Sequence, residues 1–206
     1  MAGYALHERL GVGPRSAVYR ATQLATGQAV ALKFSAHPGQ RHHEAQVLAR
    51  VDDPGAVALV GAGPDWIAVS LVDGPSLQAM LDQGTLPPLP ERVRLVATVA
   101  RTLGRLHARG VVHRDIKPSN ILVDAQGPRV ADFGIALGPG ETGEGDVLGT
   151  PRYMAPEQAA GQVRDWPRVD GYALGTVLAE LAAAPGEVDS DRLADLLAIA
   201  GRARAQ

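Results

Sequence analysis

Cysteine is absent from the chain, which excludes disulfide staples and thiolate metal sites and agrees with a reducing compartment. Aromatic residues are only 4% of the chain against 46% hydrophobic residues overall. A core must therefore be filled largely by Ala, Val and Leu. No apolar run approaches the ~20 residues that cross a bilayer. Met1–Glu8 lacks the basic-then-apolar pattern of a secretory leader. Neither sign of charge dominates: 20 Lys and Arg stand against 22 Asp and Glu, a formal charge of −2. With no basic run either, nucleic-acid binding is not indicated. What remains is a chain of 206 residues, enough for one domain or two small lobes around a cleft, with the cytoplasm as the expected location.

Residues 4–34 are punctuated like a strand meander. Leu10-Gly11-Val12-Gly13 makes a Gly-rich turn, Ala17–Ala21 returns, Thr26-Gly27-Gln28 turns again, and Ala29–Phe34 is a third strand. A helix is expected over 40–51, with Val47, Leu48 and Val51 on one face. Short strands are expected at Ala56–Val60 and Trp66–Leu71. After Asp73-Gly74-Pro75 the pattern turns helical, at about 76–83 and 91–109. In the second helix Val93, Val96, Ala100, Leu103 and His107 form a helical stripe. Residues 135–149 hold six Gly or Pro without apolar periodicity, the mark of a mobile loop. Arg168–Leu181 is apolar nearly all round and reads as a buried helix. A last helix, capped by Asp189 or Ser190, carries Leu193, Leu196, Leu197 and Ala200 on one face. Strands first and helices second give an α+β architecture.

The most specific feature is His113-Arg114-Asp115-Ile116-Lys117-Pro118-Ser119-Asn120, followed by Asp132-Phe133-Gly134. Five fixed positions in the first segment match by chance on the order of 10⁻⁴ over a chain of this length. Between the segments, 121–131 reads as strand, turn and strand. Such a hairpin folds Asp132 back toward Asn120. A third segment runs Gly149-Thr150-Pro151-Arg152-Tyr153-Met154-Ala155-Pro156-Glu157. Together these resemble the eukaryotic-type serine/threonine protein kinases, especially the bacterial branch. The resemblance covers residues 4–181. It implies one kinase domain over 1–206, with a small antiparallel β-sheet lobe (1–72) and a mainly helical lobe (73–206) lacking several distal helices.

The chemistry implied is phosphoryl transfer from ATP, which asks mainly for positioning and charge neutralisation. Asp115 can accept the proton of an acceptor hydroxyl, and Lys117 can neutralise the γ-phosphate. Asn120 and Asp132 offer hard oxygens to Mg²⁺ or Mn²⁺. By the same resemblance Lys33 pairs the α- and β-phosphates and Glu44 holds Lys33, with Glu8 a weaker candidate. The stretch between Lys33 and Glu44 is short, so the helix is expected to lack its first turns and to place Glu44 near its start. Leu10, Gly11, Val12, Gly13 and Ser16 cover the nucleotide. Val18 and Ala31 lie above the adenine and Leu122 below it. Val69 is the gatekeeper, Ser70 to Val72 supply backbone hydrogen bonds, and Ser76 meets the ribose. Ser16 stands where a third glycine is usual; if that position needs positive φ, a side chain costs about 1–2 kcal/mol. His37, His42 and His43 lack supporting ligands and read as a surface helix face.

Thr150 is expected to bond Asp115 and Lys117, which favours Ser or Thr of a protein as acceptor. Arg114 before Asp115 implies a phosphate on the mobile loop, with Thr142 the one hydroxyl residue in 135–149. Glu141, Glu144 and Asp146 offer the other reading, a carboxylate in place of the phosphate and a constitutively active enzyme. Asp170 is expected to anchor the backbone of the catalytic loop, and Arg202 or Arg204 to pair Glu157. A shortened lobe would leave the helix ending near Leu181 uncovered, and a homodimer or a lobe-completing partner would cover it. The alternative to an enzyme is a nucleotide-binding pseudokinase or scaffold, made inactive by Ser16 and the shortened lobe.

Overall fold

The computed structural model describes residues 3–184 except 14, 15, 36, 37 and 144, together with residue 198. Five strands form one antiparallel sheet: β1 (Tyr4–Gly13), β2 (Ser16–Gln23), β3 (Ala29–Ser35), β4 (Leu59–Ala62) and β5 (Trp66–Ser70), in the order β1-β2-β3-β5-β4. Its own core is small. Tyr4, Ala21, Val30, Leu32 and Ala68 are buried together, with the Tyr4 and Trp66 rings edge to face at 4.9 Å. Few aromatics suffice because β-branched and small side chains pack well on a pleated surface.

Helix α1 (Pro38–Leu48) lies against β3, β4 and β5. It starts earlier than expected, so Glu44 sits in its second turn. Arg41, Glu44, Val47 and Leu48 are its buried residues, spaced at i, i+3, i+6 and i+7, one helical face. Val51 lies beyond the helix, its N–H donating to Leu48 O at 3.0 Å in a tightened last turn. The strand expected at Ala56–Val60 begins only at Leu59. Residues 55–57 pair instead with the helical lobe: Val57 N donates to Val130 O at 2.9 Å and Val130 N to Gly55 O at 2.8 Å.

The second lobe holds α2 (Leu77–Gln83), α3 (Leu89–His107), a 3-10 turn (Pro118–Asn120), the hairpin β6 (Ile121–Asp124) and β7 (Gly127–Val130), α4 (Pro156–Ala159) and α5 (Trp166–Ala183). Ser76 caps α2 by accepting from Ala79 N at 3.1 Å, and Gly84 closes it at φ 66°. In α3 the inward face is Leu89, Arg92, Val96, Val99, Thr102, Leu103 and Leu106, whereas Ala100 is exposed. The expected stripe is thus rotated, because Arg92 and Thr102 turn inward. Arg92 donates to the carbonyls of Pro87, Leu181 and Ala184 at 2.6, 2.9 and 3.0 Å. Two of these bonds meet carbonyls at the C-terminal end of α5 that would otherwise lack a donor.

Helix α5 is buried nearly all round, as its sequence indicates. Val169, Asp170, Val177 and Leu181 are covered, and no large apolar side chain of α5 is exposed among the described residues. The uncovered face expected near Leu181 is therefore not found among the described residues. Asp189, Ser190, Leu193, Leu196, Leu197, Ala200, Arg202 and Arg204 lie outside the described residues. No helix is long and apolar enough to cross a membrane among the described residues.

Candidate active site

A cleft of about 460 Å³ opens between the sheet and the helical lobe, lined by Leu10, Gly11, Ser16, Val18, Ala31 and Lys33 from the sheet side. Val69, Ser70, Val72 and Ser76 line its back, and Asn120, Leu122 and Asp132 its floor. Val12 and Gly13 are not among its lining residues, and Val12 is exposed. Ser16 does not occupy positive φ; it is an ordinary β2 residue paired with Gly13 and Ser35. The backbone penalty considered for it is not incurred, which removes one reason for an inactive chain. The Ser70 N–H is engaged by Ala58 O at 2.8 Å. Val72, which is buried, has no hydrogen bond on its N–H or C=O among the described residues, so its polar edge is left for a ligand. The hydroxyl of Ser76 is used as the α2 cap.

Lys33 sits between two carboxylates. Its Nζ donates to Glu44 Oε1 and Oε2 at 2.9 Å each and to Asp132 Oδ1 at 2.6 Å. Burial by itself would lower its pKa, but Asp132 and Glu44 outweigh that and raise it. Glu44 is 4% exposed; burial pushes its carboxyl above the ordinary value, and Lys33 opposes only part of that. Asp132 keeps 47% of its side chain open to the cleft. Burial of its carboxyl works toward a raised pKa, yet Lys33, aided by His113 and Lys117, holds it below the ordinary carboxylate value. Glu8 is committed elsewhere, 2.6 Å from Arg20.

The catalytic-loop residues converge one step deeper. Lys117 Nζ donates to Asp115 Oδ2 at 2.6 Å and to Thr150 Oγ at 2.8 Å, and Thr150 Oγ donates to Asp115 Oδ1 at 2.7 Å. Asn120 Nδ2 donates to the Asp115 carbonyl at 2.9 Å. That commits its amide nitrogen and leaves its side-chain oxygen as the free acceptor. The backbone under Asp115 is held from below. Asp170, fully buried, accepts from His113 N at 2.9 Å, from Arg114 N at 2.8 Å and from the His107 ring at 2.8 Å. His113 accepts at Nδ1 from Asp115 N at 3.2 Å, so its Nε2 carries the proton toward Ala131 O at 3.0 Å. Asp132 follows Ala131 directly. The imidazole thus couples the Asp115 loop to the turn that carries Asp132.

Several participants carry no motif signal. Gln158, buried in α4, donates to Arg114 O at 2.9 Å and Leu148 O at 2.7 Å, tying the catalytic loop to the Thr150 segment. Trp166 stacks on the Arg114 guanidinium at 4.8 Å. Tyr153 donates to Glu180 at 2.6 Å, and burial followed by that bond raises its phenol pKa. His43 keeps 34% of its side chain exposed on the expected surface face, and its Nε2, 2.8 Å from Ala136 O, also docks α1 on the segment after Asp132. His42 contacts Gln46, and His37 lies outside the described residues. Glu157 has no described Arg partner.

The residues present suit a divalent cation, with two hard oxygen ligands of which one is an ionised carboxylate facing an open cleft. A family model described as the protein kinase domain matches residues 4–191. The chain is 35% identical to the serine/threonine-protein kinase pkn3 of Myxococcus xanthus over 91% of its length and 39% of the relative's. It is 36% identical to the DNA damage-responsive serine/threonine-protein kinase RqkA of Deinococcus radiodurans, over 92% of its length and 31% of the relative's. It is 38% identical to the serine/threonine-protein kinase PknJ of Mycobacterium tuberculosis, over 87% and 34%. It thus spans about a third of the length of these curated relatives. With the motif residues gathered around one cleft and the match running through almost the whole chain, the chain belongs to the protein kinase family, in its bacterial eukaryotic-type branch.

Proposed function

We propose that this chain transfers the γ-phosphoryl group of ATP to Ser or Thr hydroxyls of protein acceptors, as one kinase domain of lobes 1–72 and 73–206. The observation that carries the reading is the cluster of Asp115, Lys117 and Thr150 hydroxyl, mutually bonded at 2.6–2.8 Å. It lies where the floor of the nucleotide cleft meets the substrate-facing segment. The use of ATP fits a cytoplasmic site.

Asn120 and Asp132 are the residues to hold Mg²⁺ or Mn²⁺. Such a cation, when bound, neutralises phosphate charge and draws electron density from the bond being broken. The rest is supplied by the chain. Lys33, kept charged by Glu44 and Asp132, pairs the inner phosphates. Glu44 fixes the length of its reach. The Val72 backbone orients the base between Val18, Ala31 and Leu122. Asp115 receives the acceptor proton at its carboxylate and orients the attacking oxygen. Lys117 offsets charge on the transferred group. A protein acceptor is favoured by the 149–157 segment, and Thr150 favours an aliphatic hydroxyl.

The test is transfer from Mg-ATP to a generic basic acceptor protein, with the phosphorylated residue identified. Phosphoserine or phosphothreonine is expected, with loss of about 10²–10⁴ in rate for Asp115→Asn and retained nucleotide binding. Tight ATP binding without transfer under any condition would remove the proposal.

A further inference from the structure

We propose that Asp146 is the built-in anion that orders the 135–149 loop, doing with a fixed carboxylate what a phosphate on Thr142 was expected to do. Its effect on rate rests on the phosphoryl-transfer reading; the latch itself does not.

Arg114 directly precedes the base Asp115, and its side chain is only 4% exposed. A guanidinium does not shed its proton in a protein, and a buried cation needs partners. Three groups meet it. Arg114 Nε donates to Ile135 O at 2.7 Å, Nη1 donates to Asp146 Oδ2 at 3.0 Å, and the Trp166 ring covers the plane at 4.8 Å. Gly143 is shaped to this group. Gly143 has φ 55°, and a Cβ there would lie 2.4 Å from Arg114 Nη1 and 3.0 Å from the Trp166 ring. Glycine is thus required twice, for its backbone and for the room it leaves. Asp146 N donates to Gly143 O at 3.2 Å, and Trp166 Nε1 donates to Thr142 O at 2.7 Å, closing the turn.

From this latch the loop runs to Leu148, whose carbonyl Gln158 holds together with that of Arg114, and then to Thr150, which meets Asp115. Asp146 is therefore a positioning residue: it acts on the base through Arg114 and on Thr150 through the loop. Thr142 is exposed. A phosphate there would add about −1.5 to −2 charges beside a guanidinium already engaged, with the Glu141 carboxylate near and itself bonded to Gly138 N at 2.9 Å. The structure thus favours the carboxylate reading, and among the described residues it is Asp146 that reaches Arg114, with Glu144 outside them.

The experiment compares phosphatase-treated wild type, verified as one unphosphorylated mass, with Thr142→Ala, Asp146→Asn and Asp146→Glu. Two readouts are taken: steady-state transfer to a generic acceptor, and amide hydrogen exchange of the described loop residues. Unphosphorylated wild type and Thr142→Ala are expected to match untreated enzyme. Asp146→Asn should lose roughly 10–100-fold in kcat, with the KM for ATP little changed. Exchange in 142–150 should be faster in that variant, and Asp146→Glu should recover part of both. Wild type that works only once Thr142 carries phosphate, or Asp146→Asn with unchanged exchange, would overturn the latch. Faster exchange in Asp146→Asn of a chain that never transfers phosphate would uphold the latch and remove the phosphoryl-transfer reading instead.

Discussion

Arg114 and Asp132 both hold left-handed backbone, φ 67° and 65°, at about 1–2 kcal/mol each for a residue with a side chain. At Arg114 that conformation is over-determined. Asp170 takes its N–H, Gln158 donates to its carbonyl, and Ile135, Asp146 and Trp166 hold its side chain. Strain of this kind persists only where surroundings fix it, and here both strained residues stand at the candidate site, one beside Asp115 and one bonded to Lys33. A different carboxylate serves stability alone. Asp53 accepts from Arg105 Nε at 2.5 Å, from Arg105 Nη2 at 2.8 Å and from Gly55 N at 2.9 Å. The Arg105 bond, against the opposing effect of burial, lowers its pKa. A depressed carboxyl contributes stability above its unfolded value, about 3.9, and loses it as pH falls through the folded value. Asp53→Asn should therefore lower the melting temperature at neutral pH. That deficit should shrink as pH drops below about 4, which thermal melts across the acid range would read directly.

At the scale of elements, the helical lobe is built around α5. Its Asp170 is a buried hub on which three donors converge from α3 and the catalytic loop. Asp170→Ala leaves those donors unmatched at about 1–3 kcal/mol each. It should lower denaturant midpoints and depress kcat more than nucleotide affinity. Equal stability in urea melts would mean that the hub is not holding the loop. Elements were legible where the pattern is local. The strand meander, the helix at 77–83 and the all-round apolar α5 are all written in runs of neighbours, although Leu10–Gly13, expected as a turn, continues β1 paired with Val18, Ala17 and Ser16. Three features were not, each for a long-range reason. The strand at 56–60 is cut short because β7 claims residues 55–57. The face of α3 is rotated because Arg92 finds carbonyls at the end of α5. The bond of His43 was hidden because its partner, the carbonyl of Ala136, lies on the segment after Asp132. The polar residues of the site were readable by type and spacing. The choice among Thr142, Glu141, Glu144 and Asp146 was not: of those described, the folded loop brings Asp146 to Arg114, and Glu144 lies outside the described residues.

Across the whole molecule the two lobes share one core, in which Val47, Leu48, Val51 and Ile67 meet Val96, Leu103 and Phe133, and the connection between them makes one unusually close approach. A Cβ on Gly74 would sit 1.9 Å from Val123 O, where the connection between the lobes crosses the β6–β7 hairpin. Arg20 reaches the same connection, 2.6 Å from Asp73. Gly74→Ala must push the connection off the hairpin. A cost of about 1–3 kcal/mol is expected, together with weaker nucleotide binding, because Val72 and Ser76 flank that glycine. A nucleotide titration alongside a thermal melt would separate the two effects, and unchanged values in both would contradict the tight approach. The closeness also means that cleft and catalytic loop are set as one unit. The most direct single measurement is therefore the intact mass of a basic acceptor protein after incubation with the purified chain and Mg-ATP, beside an Asp115→Asn control. Stepwise gain of phosphate on the acceptor with wild type, and none with the control, is the expected result. No gain with wild type, or equal gain with the control, would contradict transfer through Asp115.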